Sequence, residues 1–189
     1  MQFQISMKQF LVIIFLFIVQ KTYSQSIFVC HNGEVTFFSE ALIENIDATS
    51  NSMNSILNTS NNEIVFVVPM TSFKFKKALM HDHFNEKYVE SDKFPNGTYK
   101  GKINETIDFK KDGEYDITSS GTLTIHGVEK QRTEKGKLII KNGEIKIQSE
   151  FNVAVKDHHI EIPKLVMQNI ADTVKVNFSA TYAPYKKDK

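Results

Sequence analysis

Residues 142–155 read NGEIKIQSEFNVAV, and this stretch decides the fold. From Ile145 onward the odd positions are mostly apolar, whereas most of the even positions are polar. Side chains that alternate with a period of two predict a β-strand with one apolar face and one wet face. Asn142 and Gly143 precede the strand, and Asn-Gly favours a type I′ turn because both central residues need a positive φ. The stretch therefore predicts a hairpin of an antiparallel sheet.

Two further turn dipeptides and several alternating runs extend this pattern. Asn32-Gly33 and Asp112-Gly113 also lie between apolar runs and predict hairpins. Gly121 predicts a bulge or kink, and one run is interrupted near Glu105. The runs occupy residues 35–39, 64–70, 99–109, 115–125 and 174–182, with weaker candidates at 43–48 and 53–57.

Seven or more strands without a βαβ rhythm predict an all-β protein, either a closed antiparallel β-barrel or a sandwich. A barrel of about eight strands has no exposed edges and can hold one small ligand. One segment, residues 76–88 with the sequence KKALMHDHFNEKY, departs from the strand pattern. Its Ala, Leu, Met and Glu residues favour a short helix, which ends before Pro95.

The chain has 189 residues, a formal net charge of +1 and one cysteine, Cys30. The near-zero charge argues against a general nucleic-acid binder, which needs a basic surplus. A single cysteine excludes an intrachain disulfide and a cysteine-based zinc cluster. The length is that of one domain.

Residues 10–19, FLVIIFLFIV, form an unbroken apolar run that follows Lys8. The run is too short to span a membrane and is typical of a secretory signal peptide, which we expect to be cut after Ser24. Cleavage removes two lysines and no acidic residue, so the net charge of +1 becomes −1 for residues 25–189. We expect this mature domain to be soluble and periplasmic or secreted. The alternatives are an uncleaved anchor and a buried core segment.

An alternative function is a metal-dependent hydrolase that would use His81, His83 and Glu86. Metal-binding histidines on a helix usually stand four residues apart, whereas these stand two apart. The more ordinary interpretation is a buried His83 and an exposed His81. We expect His126 to bond to backbone and the pair His158-His159 to lie on the surface. The sequence contains no nucleophile elbow and no phosphate-binding glycine loop, so it predicts neither a catalytic residue nor a cofactor.

Apolar and aromatic residues gather around the predicted helix and the strands near it. They either fill the barrel or line a cavity in which a long apolar ligand completes the core. A filled barrel would instead be an interaction or stress-response scaffold. The candidate ligand-binding residues are Phe37, Phe66, Val68, Phe73, Phe75, Leu79, Met80, Phe84, Tyr88, Phe94, Ile147, Phe151 and Val153.

Several separated segments resemble one known family. Residues 78–86 (ALMHDHFNE), 90–95 (ESDKFP), 98–103 (TYKGKI) and 121–128 (GTLTIHGV) are similar to the helix, loop and strand motifs of the YceI-like family. Residues 37–41 (FFSEA) resemble the opening strand of a subgroup found in Bacteroidota-type bacteria. The resemblance covers roughly residues 33–182.

This resemblance implies an exported, lipocalin-like antiparallel barrel of about eight strands with a capping helix. It implies a long isoprenoid or other amphiphilic lipid as the partner, and no established catalytic residues. Residues 129–135 (EKQRTEK) depart from the family, which usually continues with apolar residues there. If Gln131 and Thr133 face inward, that wall is polar and the cavity is wetter or shorter. The assembly stays open, with a homodimer among the options.

Overall fold

The computed structural model describes residues 26–40, 45–162 and 171–186. The predicted signal peptide, residues 1–24, lies outside the described residues. Within them the strands are β1 (Ile27–Ser39), β2 (Ile46–Asn58), β3 (Glu63–Pro69), β4 (Lys74–Phe75), β5 (Asn96–Ile103), β6 (Gly113–Ile125), β7 (Val128–Lys141), β8 (Glu144–Ala154) and β9 (Thr173–Pro184).

Eight of these strands form a closed antiparallel barrel. Their order is β1-β9-β8-β7-β6-β5-β3-β2, and β1 pairs with β2 to close the ring. The ninth strand, β4, pairs with Ala48 and Thr49 of β2. The prediction of a closed barrel of about eight strands is confirmed, and the sandwich alternative is wrong because the β1–β2 pairing joins all eight strands in one continuous ring.

Two tight hairpins show why these sequences turn where they do. Asn142 and Gly143 have φ values of 52° and 79°, and they connect β7 to β8 with Lys141 paired to Glu144. His126 and Gly127 have φ values of 52° and 71° and connect β6 to β7 in the same way. Positive φ at both central residues is the type I′ geometry, whose twist matches that of paired strands.

The other two turn predictions are wrong. Asn32 and Gly33 lie inside β1, where the pairing with β2 shifts on both sides of Gly33. The extra residues are taken up as a β-bulge, because both flanks of the dipeptide pair with β2 rather than with each other. Gly113 begins β6 after a loop that starts beyond Ile103, so Asp112-Gly113 is the end of a longer connection. The two weak candidates, at 43–48 and 53–57, belong to the single strand β2 as far as they are described.

Gly121 does not form the predicted bulge. The pairing of β6 with both neighbours is continuous through this residue. A Cβ at Gly121 would lie 2.3 Å from the carbonyl oxygen of Lys100 and 2.4 Å from the Cα of Gly101. The glycine is therefore needed for the close approach of two backbones rather than for a bend.

The barrel has two unlike ends. At the packed end the inward residues are fully buried and fill the interior; the largest of them are Met53, Leu57, Ile64, Ile103, Leu138, Ile145, Ile147 and Tyr182. At the other end, the helix end, the predicted short helix is confirmed as α1 (Ala78–His83) followed by a π-helical turn (Phe84–Tyr88). Neither segment contains a buried residue.

The barrel wall is loosest between β7 and β8 toward the helix end. Their backbone pairing runs from Lys141 and Glu144 only as far as Gly136 and Ser149. We call the stretch beyond it, residues 128–135 of β7 and 150–154 of β8, the β7–β8 seam. Side chains rather than a backbone ladder connect the two strands there.

Candidate functional site

The helix end of the barrel encloses a cavity of about 540 Å³. Its floor contains Ile117 and Ile147, which belong to the packed core. It reaches the surface beside α1, where the exposed Leu79 forms part of its wall. A volume of this size falls in the range of small-molecule sites. The barrel is therefore half packed and half hollow, and the filled interior that a solid scaffold needs is absent from the helix end of the described barrel.

The helix α1 and the π-helical turn, residues 78–88, together form a cap over the helix end. Four phenylalanines join this cap to the barrel. Phe84 of the π-helical turn stacks on Phe37 of β1 with ring centroids 5.5 Å apart, and it lies 5.1 Å from Phe75 and 5.7 Å from Phe73. Phe37 also contacts the Phe73 and Phe75 rings, at 5.4 and 5.7 Å. Tilted and edge-to-face pairs of this kind are favourable beyond their buried area. The cluster holds α1 over the opening and forms one wall of the cavity.

Twelve of the thirteen predicted binding residues line the cavity. They are Phe37, Phe66, Val68, Phe73, Phe75, Leu79, Met80, Phe84, Tyr88, Ile147, Phe151 and Val153. Phe94 is not among the lining residues, and its ring packs edge-on against His126 with centroids 4.6 Å apart. That the twelve contact a ligand is still a prediction.

The polar part of the wall differs from the prediction. Gln131 and Thr133 are exposed, whereas Arg132 and Glu134 line the cavity. The alternation could have shown this, because the buried Leu138 shares its even-numbered parity with 132 and 134. The part of the wall that β7 contributes is polar through the charged residues Arg132, Glu134 and Lys135 rather than through Gln131 and Thr133.

Arg132 is held in place by three neighbours. Its Nη2 donates a hydrogen bond of 2.7 Å to the carbonyl oxygen of Asn152 across the β7–β8 seam. Its guanidinium carbon lies 5.6 Å from the centre of the Phe151 ring. Its Nε lies 2.5 Å from Oε1 of Glu134. The guanidinium group thus connects β7 to β8 at the seam and places its positive charge in the cavity wall.

A pair of hydroxyls lies beside this ion pair. The Tyr99 hydroxyl and Ser119 Oγ are 2.8 Å apart, and Ser119 pairs directly with Glu134 across β6 and β7. Burial raises the pKa of Tyr99; the Ser119 hydrogen bond lowers it, and the Glu134 charge adds to the rise. Gly101 makes this arrangement possible, since a Cβ there would lie 2.5 Å from the Tyr99 hydroxyl. Sequence reasoning missed Tyr99, Ser119, Arg132 and Glu134 as wall residues.

The histidines proposed as metal ligands do not converge. His83 lines the cavity, whereas Nε2 of His81 lies 3.3 Å from the side-chain nitrogen of Asn85. Both are half-buried, so the expected contrast between a buried His83 and an exposed His81 is wrong. Within the described ranges no group of three or more His, Cys, Asp or Glu residues is placed to hold a metal ion. The hydrolase alternative therefore lacks its geometry in that part of the chain.

A second histidine pair was assigned to the surface, and half of that prediction is wrong. His158 is 1% exposed and its Nδ1 donates to the carbonyl oxygen of Val128 at 3.2 Å, closing the rim of the seam. Burial lowers the pKa of His158. His159 is exposed, as expected. His126 bonds to backbone as predicted, through Nδ1 to the carbonyl oxygen of His158 at 3.0 Å, and its Nε2 lies 2.9 Å from Glu90.

The closed barrel with its hollow, capped end can be compared with known proteins. The family model of the YceI-like domain matches residues 21–182, which is most of the chain. The chain belongs to the YceI-like family. No curated protein matches this YceI-like chain.

Solved structures share the fold of this YceI-like protein at low sequence identity. A polyisoprenoid-binding domain from Saccharophagus degradans has a TM-score of 0.72 and 14% identity, covering 86% of this chain and 100% of its own. BcnA of Burkholderia cenocepacia has a TM-score of 0.67 and 12% identity, covering 80% and 96%. A YceI protein of Campylobacter jejuni has a TM-score of 0.60 and 17% identity, covering 78% and 90%. At these identities the likeness shows the fold alone.

The helices in the described part of this YceI-like protein are all too short or too polar to cross a membrane.

Proposed function

We propose that this YceI-like protein is an exported binding protein that holds one long apolar or amphiphilic molecule, isoprenoid-like in character, in the helix-end cavity. The observation that carries the proposal is the cavity itself, about 540 Å³ of space surrounded mainly by apolar side chains above a packed floor. A folded domain that leaves such a space empty loses packing that an apolar ligand restores.

The energetics suit a chain-like ligand. Each methylene that leaves water for the cavity contributes about 0.8 kcal/mol, and the effect needs no particular direction. The site therefore needs no catalytic group, and the barrel gives the ligand a continuous aromatic and aliphatic surface. The structural neighbour described as a polyisoprenoid-binding domain supports the same class of ligand.

Export is the second part of the proposal. It is supported by the basic residue Lys8, the apolar run 10–19 and the small residues Thr22 and Ser24, which together form the pattern of a secretory signal. A periplasmic protein with an apolar cavity can carry a lipid through an aqueous compartment, where the free lipid would be insoluble.

One experiment tests both parts. The full chain is expressed in a Gram-negative host, released by osmotic shock and measured by native mass spectrometry without detergent. We expect the mass of a chain that begins at Gln25, together with a bound species that leaves on organic extraction. A chain that stays in the cytoplasm overturns export, whereas a released chain free of bound lipid, with no uptake of added isoprenoid, overturns the binding function.

A further inference from the structure

We infer that the Arg132–Glu134 pair is a polar subsite of the cavity that selects ligands whose head group donates a hydrogen bond and carries no negative charge. This inference rests on the proposed function and narrows its ligand class. The family resemblance did not predict the placement of this pair. Both side chains belong to the wall of an otherwise largely apolar cavity.

The carboxylate of Glu134 is only partly satisfied by its neighbours. Its buried Oε1 is paired with Arg132 Nε at 2.5 Å, and no other donor among the described residues bonds to this oxygen. An ionised carboxylate offers about four acceptor positions. The acceptor positions that this one contact leaves open can take a hydrogen bond from a ligand donor. The side chain as a whole is 20% exposed and lines the cavity, so a ligand approaches it from its exposed side rather than at the buried Oε1.

The arginine is engaged by three neighbours. Its Nη2 bonds to the carbonyl oxygen of Asn152, its Nε faces Glu134 and its guanidinium carbon lies over the Phe151 ring. The positive charge is thus balanced within the wall. An anionic head group beside Glu134 would be repelled by its carboxylate, and the nearest other cation of the wall, Lys135, is exposed to solvent. A neutral hydroxyl, in contrast, can donate to Glu134 and accept from the hydroxyl pair of Tyr99 and Ser119 nearby.

The position of the subsite fixes how the ligand lies. Ser119 and Ser149 are each two residues above the buried floor residues Ile117 and Ile147 on their strands. Ser149 Oγ donates to the carbonyl oxygen of Lys135 at the start of the β7–β8 seam. The polar head therefore lies low in the cavity at the seam, and the apolar tail extends past the phenylalanine cluster toward α1.

The test uses three probes with the same saturated tail: a primary alcohol, its methyl ether and the carboxylate. Affinities are measured by displacement of a fluorescent apolar probe from the mature protein. We expect the alcohol to bind about tenfold or more tightly than the ether, which is the value of one hydrogen bond to a charged group. We expect the carboxylate to bind more weakly than the alcohol.

Variants separate the subsite from the rest of the cavity. In Arg132→Met/Glu134→Met the alcohol and the ether should bind equally, with the tail still held. The matched control is Glu150→Met/Lys175→Met, which removes an exposed ion pair of 3.2 Å outside the cavity wall and should leave the preference unchanged. If the double variant does not fold, Glu134→Gln serves instead, and it should abolish the discrimination against the carboxylate.

The outcomes distinguish the two proposals. Equal affinities of the wild-type protein for alcohol and ether, or tightest binding of the carboxylate, overturn the polar subsite while the binding function stands. A preference that persists in the double variant also overturns it, because the selectivity then comes from another group. No binding of any of the three probes overturns the binding function and the subsite together.

Discussion

At the residue scale, His158 links the stability of the barrel to pH. The side chain is buried at the rim of the β7–β8 seam, and burial lowers its pKa from the ordinary value of 6.5, with the nearby charges of Arg132 and Lys130 acting in the same direction. The unfolded chain therefore binds a proton at this position at a higher pH than the folded chain does. Folding stability is complete above pH 6.5 and decreases as the pH falls from 6.5 toward the lowered pKa.

We predict that the free energy of unfolding, measured with urea between about pH 5 and pH 8, decreases on acidification by up to about 1.4 kcal/mol per pH unit from this group. His158→Gln keeps a donor for the Val128 carbonyl and should remove this part of the slope. His159→Gln, at the exposed neighbour, should leave it in place. Identical pH profiles for the wild-type protein and His158→Gln would contradict the assignment.

The inward residues of β7 could be predicted from the sequence, whereas the burial of His158 could not. The parity of β7 was available, since counting back by two from Leu138 reaches Glu134 and Arg132. Charged residues are rarely placed in a core, so composition favours the neutral Gln131 and Thr133 over Arg132 and Glu134 as inward residues. The burial of His158 had no local signal, because its partner, the Val128 carbonyl, is 30 positions away in the sequence.

At the scale of elements, one dipeptide has two structural outcomes. Asn142-Gly143 forms the predicted hairpin because β7 and β8 pair with each other on either side of it. Asn32-Gly33 has the same local preference, yet its flanks both pair with β2, and the dipeptide becomes part of a bulge. Turn chemistry predicts where a chain can reverse, whereas the pairing partners decide whether it does. The period-two runs located most of the strands, and the short helix was found from composition.

The cap is the element that we expect to move. It has no buried residue and is held mainly by the Phe84 ring on its barrel neighbours. Regions with little buried apolar contact open at low free-energy cost. We predict that backbone amides of residues 78–88 exchange hydrogen faster than those of residues 138–140, whose Leu138 and Ile140 are fully buried.

If the ligand leaves when the cap opens, bound ligand should slow hydrogen exchange at the cap amides. At a ligand concentration of a hundred times the Kd, the slowing reaches about a hundredfold at residues 78–88. Hydrogen exchange followed by mass spectrometry on the protein with and without the long-chain alcohol measures it. Cap amides as protected as those of β7 without ligand would show that the cap is rigid, and unchanged cap exchange with ligand would separate the cap from binding.

At the scale of the whole molecule, the fold follows from patterning but the cavity does not. Alternating strands and tight turns are sufficient to predict an all-β architecture, because one apolar face per strand must be buried. Whether a barrel interior is filled depends on the summed volumes of the inward side chains at each height along the barrel axis. The composition of the chain averages over all these heights. Here the packed end is filled, whereas Ser119 and Ser149 are small polar residues on the wall of the helix end.

If the hollow end of the barrel is the binding site, added bulk on its wall must weaken binding. Two tryptophan substitutions at adjacent positions of β3 measure this. Val68 lines the cavity, whereas Val67 is not part of its wall and, by the alternation of the strand, points away from it. Uptake of a long-chain isoprenoid alcohol by each mature variant is measured by fluorescence displacement, with thermal unfolding recorded to confirm that both fold. We predict that Val68→Trp weakens binding by about tenfold or more, since the indole occupies the ligand's space, and that Val67→Trp leaves it within about twofold. Unchanged binding by a folded Val68→Trp variant would contradict the account.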